Sequence, residues 1–373
     1  MKKLWIIIIV AIVIIGVVFI ATQTKKEPGE IKIGVLGPLT GVRAMGGTYM
    51  RNGLELALEE INSKGGIRGK QIKLIYEDDK YEPSVAVSGF RKLVEVDGVK
   101  MVIGFQNSSC LLAVAPIAEQ QRIIVIGYGT QASKISDAGD YIFRTQVSSI
   151  EEIPVTSEFI KNKLDISKIA VLYLNTDYGV EYKDALKSTF EGSLQGKIVA
   201  IDSFEVETTD YRTQLGKTIQ QNPQAIFIIG ASKHVGMIVK QAKELGIKTG
   251  FIASSPVEGE DVLTIAGPLA DDIIYPYPYD VESEDKDQEA FREKYKVRYG
   301  MLPEMLAANA YDALKILTQS IEKCEQNTEC IKEFLYKVKG YHGASGLLSF
   351  DNKGDVQKPI IIKKIENGKF VRY

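Results

Sequence analysis

The sequence predicts an α/β protein built from two parallel sheets, each covered by helices on both faces. Three observations carry that expectation. Short β-rich runs alternate with amphipathic stretches. The alternation stops and restarts once. The spacing also repeats, with strand starts 40, 28 and 23 residues apart in the first set and 29, 28 and 24 in the second. Alternating units of this kind pair their strands in parallel and lay the helices on the sheet faces.

In the first set the strands are expected at Ile31–Leu36, Gln71–Glu77, Val99–Phe105 and Arg122–Gly127. Helical spacing covers Gly47–Ser63, Pro83–Val96 and Ser108–Gln121 between them. The second set has strands at Lys168–Leu174, Lys197–Phe204, Ala225–Gly230 and Thr249–Ala253. Its helices are expected at Tyr178–Glu191, Tyr211–Gln221 and Lys233–Leu245. The tail then changes character. Ile273–Tyr279, IIYPYPY, reads as an extended crossing interrupted by proline. Helices follow at about Lys286–Arg298, Glu304–Lys323 and Thr328–Lys339. The end reads as strands joined by Asn-Lys-Gly and Glu-Asn-Gly turns.

The chain of 373 residues, 45% hydrophobic, can bury more core than one domain of typical size. Its 46 basic and 48 acidic side chains are balanced, which gives no hint of nucleic acid or of an acidic partner. The N-terminus stands apart. Met1-Lys2-Lys3 precedes Leu4–Ala21, eighteen residues without a charge, and Lys25 and Lys26 follow. That length is close to the ~20 residues that span a bilayer. The small-residue cleavage pattern is poor, since Phe19 would sit two residues before an end at Ala21. Residues 1–29 therefore read as a transmembrane anchor with a linker, or as a cleaved leader. Either places the remaining chain outside the cytoplasm. Cys324 and Cys330 flank the polar turn EQNTE. In an oxidising compartment such a pair can form a disulfide, and two free thiols are the alternative. Cys110, alone on an apolar stretch, reads as a small core residue.

Chemistry-bearing motifs are sparse. The two histidines, His234 and His342, are in no metal spacing, and neither H-E-x-x-H nor G-x-S-x-G occurs. Gly216–Thr218 lacks the upstream glycine of a phosphate loop. Gly127–Ala132, GYGTQA, fits G-x-G-x-x-A, but an Asp-Ala-Gly-Asp turn follows where a dinucleotide site needs a long helix. Small polar residues instead gather at strand ends, where ligands sit in open α/β sheets. They are Pro38–Gly41, Gln106–Ser109 and Tyr128–Gln131 in the first set, and Asn175–Tyr178 with Ser254–Ser255 in the second. Two half-sites facing each other across a cleft would hold a small molecule with no cofactor. Asn107, Ser108 and Ser109 stand where a helix begins. They serve either as N-caps or, with the free amides and partial positive charge of the helix end, as an anion site.

With those residues in hand, the chain resembles the periplasmic binding proteins of the leucine/isoleucine/valine-binding type, receptors of ABC importers for amino acids, amides and related solutes. The resemblance runs over nearly everything after Glu30. It rests on IKIGVLGPLTG and NGLELALEEINSKGGIRGKQIKLIYEDD, then on VIGFQNSSC, YGTQASKIS, FRT, DYG, QAKELGIKT and FDNKGDV. It implies a two-lobed type I fold with three hinge crossings, near Thr145–Ile150, Tyr275–Tyr279 and Asp355–Pro359. The lobes would be 30–146 plus 280–355 and 147–279 plus 356–373. It implies a small-molecule ligand and ABC permease subunits as partners, with no enzymatic activity. Ser108 and nearby amides, with Asn107 beside them, would hold a ligand carboxylate. Thr130 matches the family's second ligand-binding position, a threonine, or Gln131 does if the stretch is aligned without a gap. The carbonyl of Gly129 would accept from an ammonium group, and Tyr178 would close over the ligand. Ser255 stands where leucine-type receptors carry an acidic residue, with Glu258, Asp261 and Asp177 as candidates to replace it. Gly46 and Leu306 stand where aromatic rings often pack. A sensor domain of the same fold, acting on a signalling partner, is the alternative reading. A dinucleotide-dependent enzyme is a distant third.

Overall fold

The structure is a computed structural model that describes Trp5 and residues 29–373. Trp5 apart, the expected anchor Leu4–Ala21 lies outside the described residues. Among the described residues, no helix is long and apolar enough to cross a membrane.

Strands β1 (Ile31–Gly37), β2 (Ile72–Asp78), β3 (Met101–Gly104), β4 (Ile124–Gly127) and β5 (Ile142–Arg144) pair in parallel in the order β2-β1-β3-β4-β5. Helices α1 (Ala44–Ser63), α2 (Pro83–Arg91) and α3 (Ser108–Gln121) make the crossovers. The second sheet repeats the plan. Strands β6 (Lys168–Leu174), β7 (Lys197–Phe204), β8 (Ala225–Ile229), β9 (Gly250–Ala253) and β10 (Ile274–Tyr277) lie in the order β7-β6-β8-β9-β10. Helix α4 (Ser149–Asn162) precedes them, and α5 (Asp177–Lys187), α6 (Arg212–Ile219), α7 (Ser232–Glu244) and α8 (Glu260–Ala266) connect them. In each sheet the strand order reverses beside its first strand. That reversal leaves a crevice at the carboxyl ends.

The chain crosses between lobes three times, and the later elements build on both. After β10 it returns to the first lobe as α9 (Lys286–Tyr299), α10 (Met305–Cys324) and α11 (Thr328–Tyr336), with α10 packed along α1. A disulfide joins Cys324 at the end of α10 to Cys330 in α11. The antiparallel ribbon β11 (Tyr341–Gly343), β12 (Gly346–Phe350) and β13 (Val356–Gln357) follows. The chain then crosses back as β14 (Ile361–Glu366) and β15 (Lys369–Arg372), which extend the second sheet antiparallel to β10. Asn367 and Gly368 turn this last hairpin with φ of 52° and 67°, the left-handed pair that a two-residue hairpin turn requires.

Several elements depart from the expectation. Ile273–Tyr279 contains a sheet strand, β10, because beyond Ile274 it parts from β9 and faces only β14, so Pro276 interrupts no two-sided ladder. Helix α4 starts at Ser149, inside the expected first crossing, and tolerates Pro154 within it. The expected helices ending at Val96 and Glu191 finish as single π-turns, Lys92–Val96 and Ser188–Ser193.

Where α1 meets α10, Gly53 lets the two backbones touch. A Cβ there would stand 2.1 Å from the carbonyl oxygen of Ala307. Gly53→Ala gains about 1 kcal/mol of helix propensity, against an overpacking cost of typically ~1–3 kcal/mol on a backbone neighbour. We expect a net loss, read as a lower urea midpoint. An equal or higher midpoint would show that the helices can part freely.

Candidate functional site

The carboxyl ends of the two sheets face each other across a cleft of about 850 Å3, counted with its open mouth. From the first lobe, Ser108, Gly129, Gln131 and Leu306 line it, and from the second, Tyr178. These are five of the positions the sequence singles out. Asn107, Thr130 and Ser255 lie behind the wall. The Asn107 side chain caps α3, accepting from the Ser109 amide at 3.0 Å, and donates to the carbonyl of Tyr81 at 2.9 Å. Thr130 is fully buried beneath Gly127.

Ser108 is both cap-site residue and cleft residue. Its Oγ accepts from the amides of Gln131 and Ala132, each at 3.1 Å. With both acceptor positions used, the hydroxyl has only its proton left to offer. A partner at Ser108 must therefore be an acceptor, as a carboxylate is, and the positive end of α3 favours it further. Gly129 lets the wall close in. A Cβ there would meet Leu306 Cδ2 at 3.0 Å and Gln106 Cγ at 3.2 Å.

The position without an aromatic ring is filled another way. Phe105, just after β3, has φ 68° and turns Gln106 over Gly46, where a Cβ would stand 2.2 Å from Gln106 Oε1. That oxygen is buried without a partner, as are Arg43 Nε and Gln146 Nε2, which also belong to cleft-lining residues. Buried polar atoms are normally paired, so these three mark where a polar ligand would bond. Sequence reasoning missed Arg43, Tyr49, Tyr81, Gln146 and Glu304. Arg43 and Tyr81 follow strands β1 and β2, so the strand-end rule, carried a few residues further, would have found them. Arg43 stacks on the Tyr81 ring at 5.5 Å.

The cleft lining is acidic. Glu258, Glu260 and Asp261 line it from the second lobe and Glu304 from the first, against the single cation Arg43 among the lining residues. Glu258 is paired with Lys363 at 2.8 Å and accepts from the Tyr275 hydroxyl at 2.7 Å. Glu304 caps α10 through the Leu306 amide and accepts from the Tyr277 hydroxyl, both at 2.7 Å. Burial pushes its carboxyl up to about 7 against those bonds. Asp177 stands outside the cleft, paired with Lys134 at 3.4 Å.

Ser255 occupies the place of the missing carboxylate, and a carboxylate arrives there from another element. Its Oγ donates to Glu152 Oε1 at 2.7 Å, and Gln131 Nε2 donates to both at 2.7 and 2.8 Å. Gln131 belongs to the first sheet's loops and the other two to the second lobe, so this triad bridges the cleft. Nearby, the amides of Ser133 and Lys134 donate to Glu181. The lobes are thus in contact, in a closed arrangement. The G-x-G-x-x-A stretch runs into a 3-10 turn, Ser133–Asp137, with no helix terminus for a pyrophosphate.

Burial raises Glu152 to about 8, against the hydrogen bonds from Ser255 and Gln131 that favour its ionised form. An unfolded glutamate titrates near 4.3. Between these values the folded chain binds more protons, so this group's contribution to stability falls as pH rises. Glu152→Gln should therefore raise the melting temperature at pH 9 and change it little at pH 4. An equal shift at both would mean that Glu152 is ionised throughout.

The Periplasmic binding protein family model matches residues 30–369. The chain is 29% identical, over 88% of its length and 87% of the other's, to the leucine-, isoleucine-, valine-, threonine- and alanine-binding protein of Pseudomonas aeruginosa. It superposes with TM-score 0.84 and 28% identity on the branched-chain amino acid transporter substrate-binding protein LivJ of Streptococcus pneumoniae in complex with isoleucine, covering 91% of this chain and 97% of that one. A solute-binding protein of R. palustris in complex with 4-hydroxybenzoate shares the fold at TM-score 0.85 and 21% identity, covering 92% and 95%. The function of such proteins is to bind a solute for an ABC transporter outside the cytoplasm, and they are not enzymes. Two sheets of one plan, a closed cleft between their carboxyl ends and a match over nearly the whole described chain together place this protein in the periplasmic binding protein family.

Proposed function

We propose that this receptor closes on a small amino acid, or a closely similar amide or carboxylate, and presents it to ABC permease subunits at the outer face of the membrane. The observation that carries the reading is the polarity of the cleft. One wall offers the lone hydroxyl proton of Ser108 at a helix N-terminus. Glu260 and Asp261 from the second lobe and Glu304 from the first add acidic groups to the same cleft. A molecule with a carboxylate at one end and an ammonium at the other satisfies both, whereas a simple aromatic acid leaves the acidic groups unanswered. The Gly129 carbonyl and Glu304 would take the ammonium, and Leu306 the side chain. Tyr178 would cover the ligand from the second lobe. The lobes, 30–146 plus 280–355 and 147–279 plus 356–373, would rotate about the three crossings. Leu4–Ala21 would tether them to the membrane.

Thermal denaturation against L-isoleucine, L-leucine, L-alanine, L-glutamine and benzoate tests the ligand class. A true ligand at a hundred times its dissociation constant adds about 2.7 kcal/mol of stability. Stabilisation by benzoate and by none of the amino acids would overturn the reading.

Ser108→Ala removes one bond to a charged carboxylate, worth roughly 1.5–3 kcal/mol, so calorimetry should read about ten- to a hundredfold weaker binding. Tyr178→Ala acts on closure instead. Small-angle scattering should show a larger open fraction at saturation in that variant, while Ser108→Ala closes fully once saturated. Native protein should sediment with membranes and begin at or near Met1. N-terminal sequencing that starts between Thr22 and Glu30 would reveal a cleaved leader.

A further inference from the structure

The hinge contains a half-buried lysine whose ammonium group is held by three acceptors. Lys358, in the third crossing, donates from Nζ to the carbonyl of Thr145 at 2.9 Å, to Asn309 Oδ1 at 2.7 Å and to Ser345 Oγ at 2.6 Å. Asn309 and Ser345 are buried, and Asp312, also buried, accepts from the Ser345 hydroxyl and from the amides of Ala344 and Ser345. Lysine can only donate. It therefore fixes the orientation of the Asn309 amide, with the oxygen toward Lys358 and the NH2 away. That NH2 donates to the carbonyl of Tyr128 at 3.1 Å and to Gln146 Oε1 at 2.7 Å. The Gln146 amide is fixed in turn. Its oxygen is used, and its Nε2 is left as a donor. Gln146 is 1% exposed, lines the cleft, and its Nε2 has no partner.

We propose that Lys358 and Asn309 are positioning residues that make Gln146 an obligate hydrogen-bond donor to the ligand in the cleft. Each link has one allowed polarity, so the chain of bonds runs in one direction from the hinge ammonium to the cleft. With the Ser108 proton, Gln146 gives the cleft a further donor for an acceptor-rich group. Because Gln146 lies in the first crossing and Lys358 in the third, ligand contact and hinge geometry share one network. The inference rests on the reading that the cleft takes a carboxylate-bearing solute, but the relay itself can be observed without any ligand.

Asn309→Asp is the discriminating variant. It keeps the side-chain size and the bond from Lys358, but it cannot donate to Gln146. The Gln146 amide should then turn, bringing its NH2 toward the introduced carboxylate and its oxygen into the cleft. Two measurements are made at pH 6, below the value of about 7 to which burial lowers Lys358. The first is the side-chain amide signal of Gln146 in ligand-free protein labelled with 15N-glutamine and assigned by Gln146→Leu. The second is calorimetric titration with L-isoleucine. We expect the Gln146 signal to move in Asn309→Asp and in Lys358→Met, and to return toward the parent position in Lys358→Arg. We expect L-isoleucine to bind about ten- to a hundredfold more weakly to Asn309→Asp and to Gln146→Glu, the latter keeping the test open should Asn309→Asp fail to fold. An unmoved signal in both Asn309→Asp and Lys358→Met overturns the relay. Parent-like affinity in Gln146→Glu overturns Gln146 as a ligand donor. If L-isoleucine does not bind the parent while the signals move as expected, the relay stands, and the amino-acid reading is what fails.

Discussion

A guanidinium with no access to water holds the centre of this molecule. Arg144, fully buried at the end of β5, donates from Nε to Asp355 and from its terminal nitrogens to the carbonyl of Ala132 and the hydroxyl of Ser136, at 2.7, 2.7 and 2.9 Å. Its own backbone amide donates to the carbonyl of Gly354 at 3.0 Å. One side chain thus ties the last strand of the first sheet to the loop that carries Gly129 and Gln131 and to the ribbon that leads into the third crossing. Losing one partner of a buried pair typically costs about 3–5 kcal/mol, because the other charge is left without an answer. The ligand loop is pinned by this anchor at Ala132 and Ser136. Gln131, which reaches across the cleft, lies one residue before the carbonyl that Arg144 holds.

Around that anchor the cleft is shaped by backbone as much as by side chains. Lys80, Tyr81 and Phe105 have φ of 50°, 65° and 68°, in a region that residues other than glycine seldom occupy. Each such residue stores roughly 1–3 kcal/mol unless its surroundings compensate. Asn107 supplies part of that compensation by holding the carbonyl of Tyr81. The same asparagine caps α3, so the helix end that faces the ligand and the strained loop beside it are fixed by one amide.

Closure rests on polar contacts at the rim and on the triad of Gln131, Glu152 and Ser255. Rim pairs such as Lys134–Asp177 are half exposed and worth little alone. The triad is buried, and its glutamate is held close to neutral by its surroundings. A ligand shifts the population between open and closed forms only by its differential affinity for the closed one.

The two-lobed α/β plan, most strand and helix positions, and the polar run at the start of α3 are all legible in the order of residues. Apolar runs and helical periodicity are local properties, and the topology of parallel strands then forces their carboxyl ends to one edge. Ser108, Gly129, Gln131 and Tyr178 could be marked as cleft residues in the same way, because strand ends can be read from strand positions, whereas Leu306, in α10, is marked only through the family resemblance. Packing settles the rest. Helix α4, with Pro154 inside it, is held by its packing against α5 and β10 rather than announced by a local pattern. Glu304, Gln146 and Arg43 reach the cleft from distant parts of the chain, and Glu152 arrives behind Ser255 from a helix more than a hundred positions earlier. Which side chains meet, and which of their donors are already used, is a property of the folded interior that no local pattern contains.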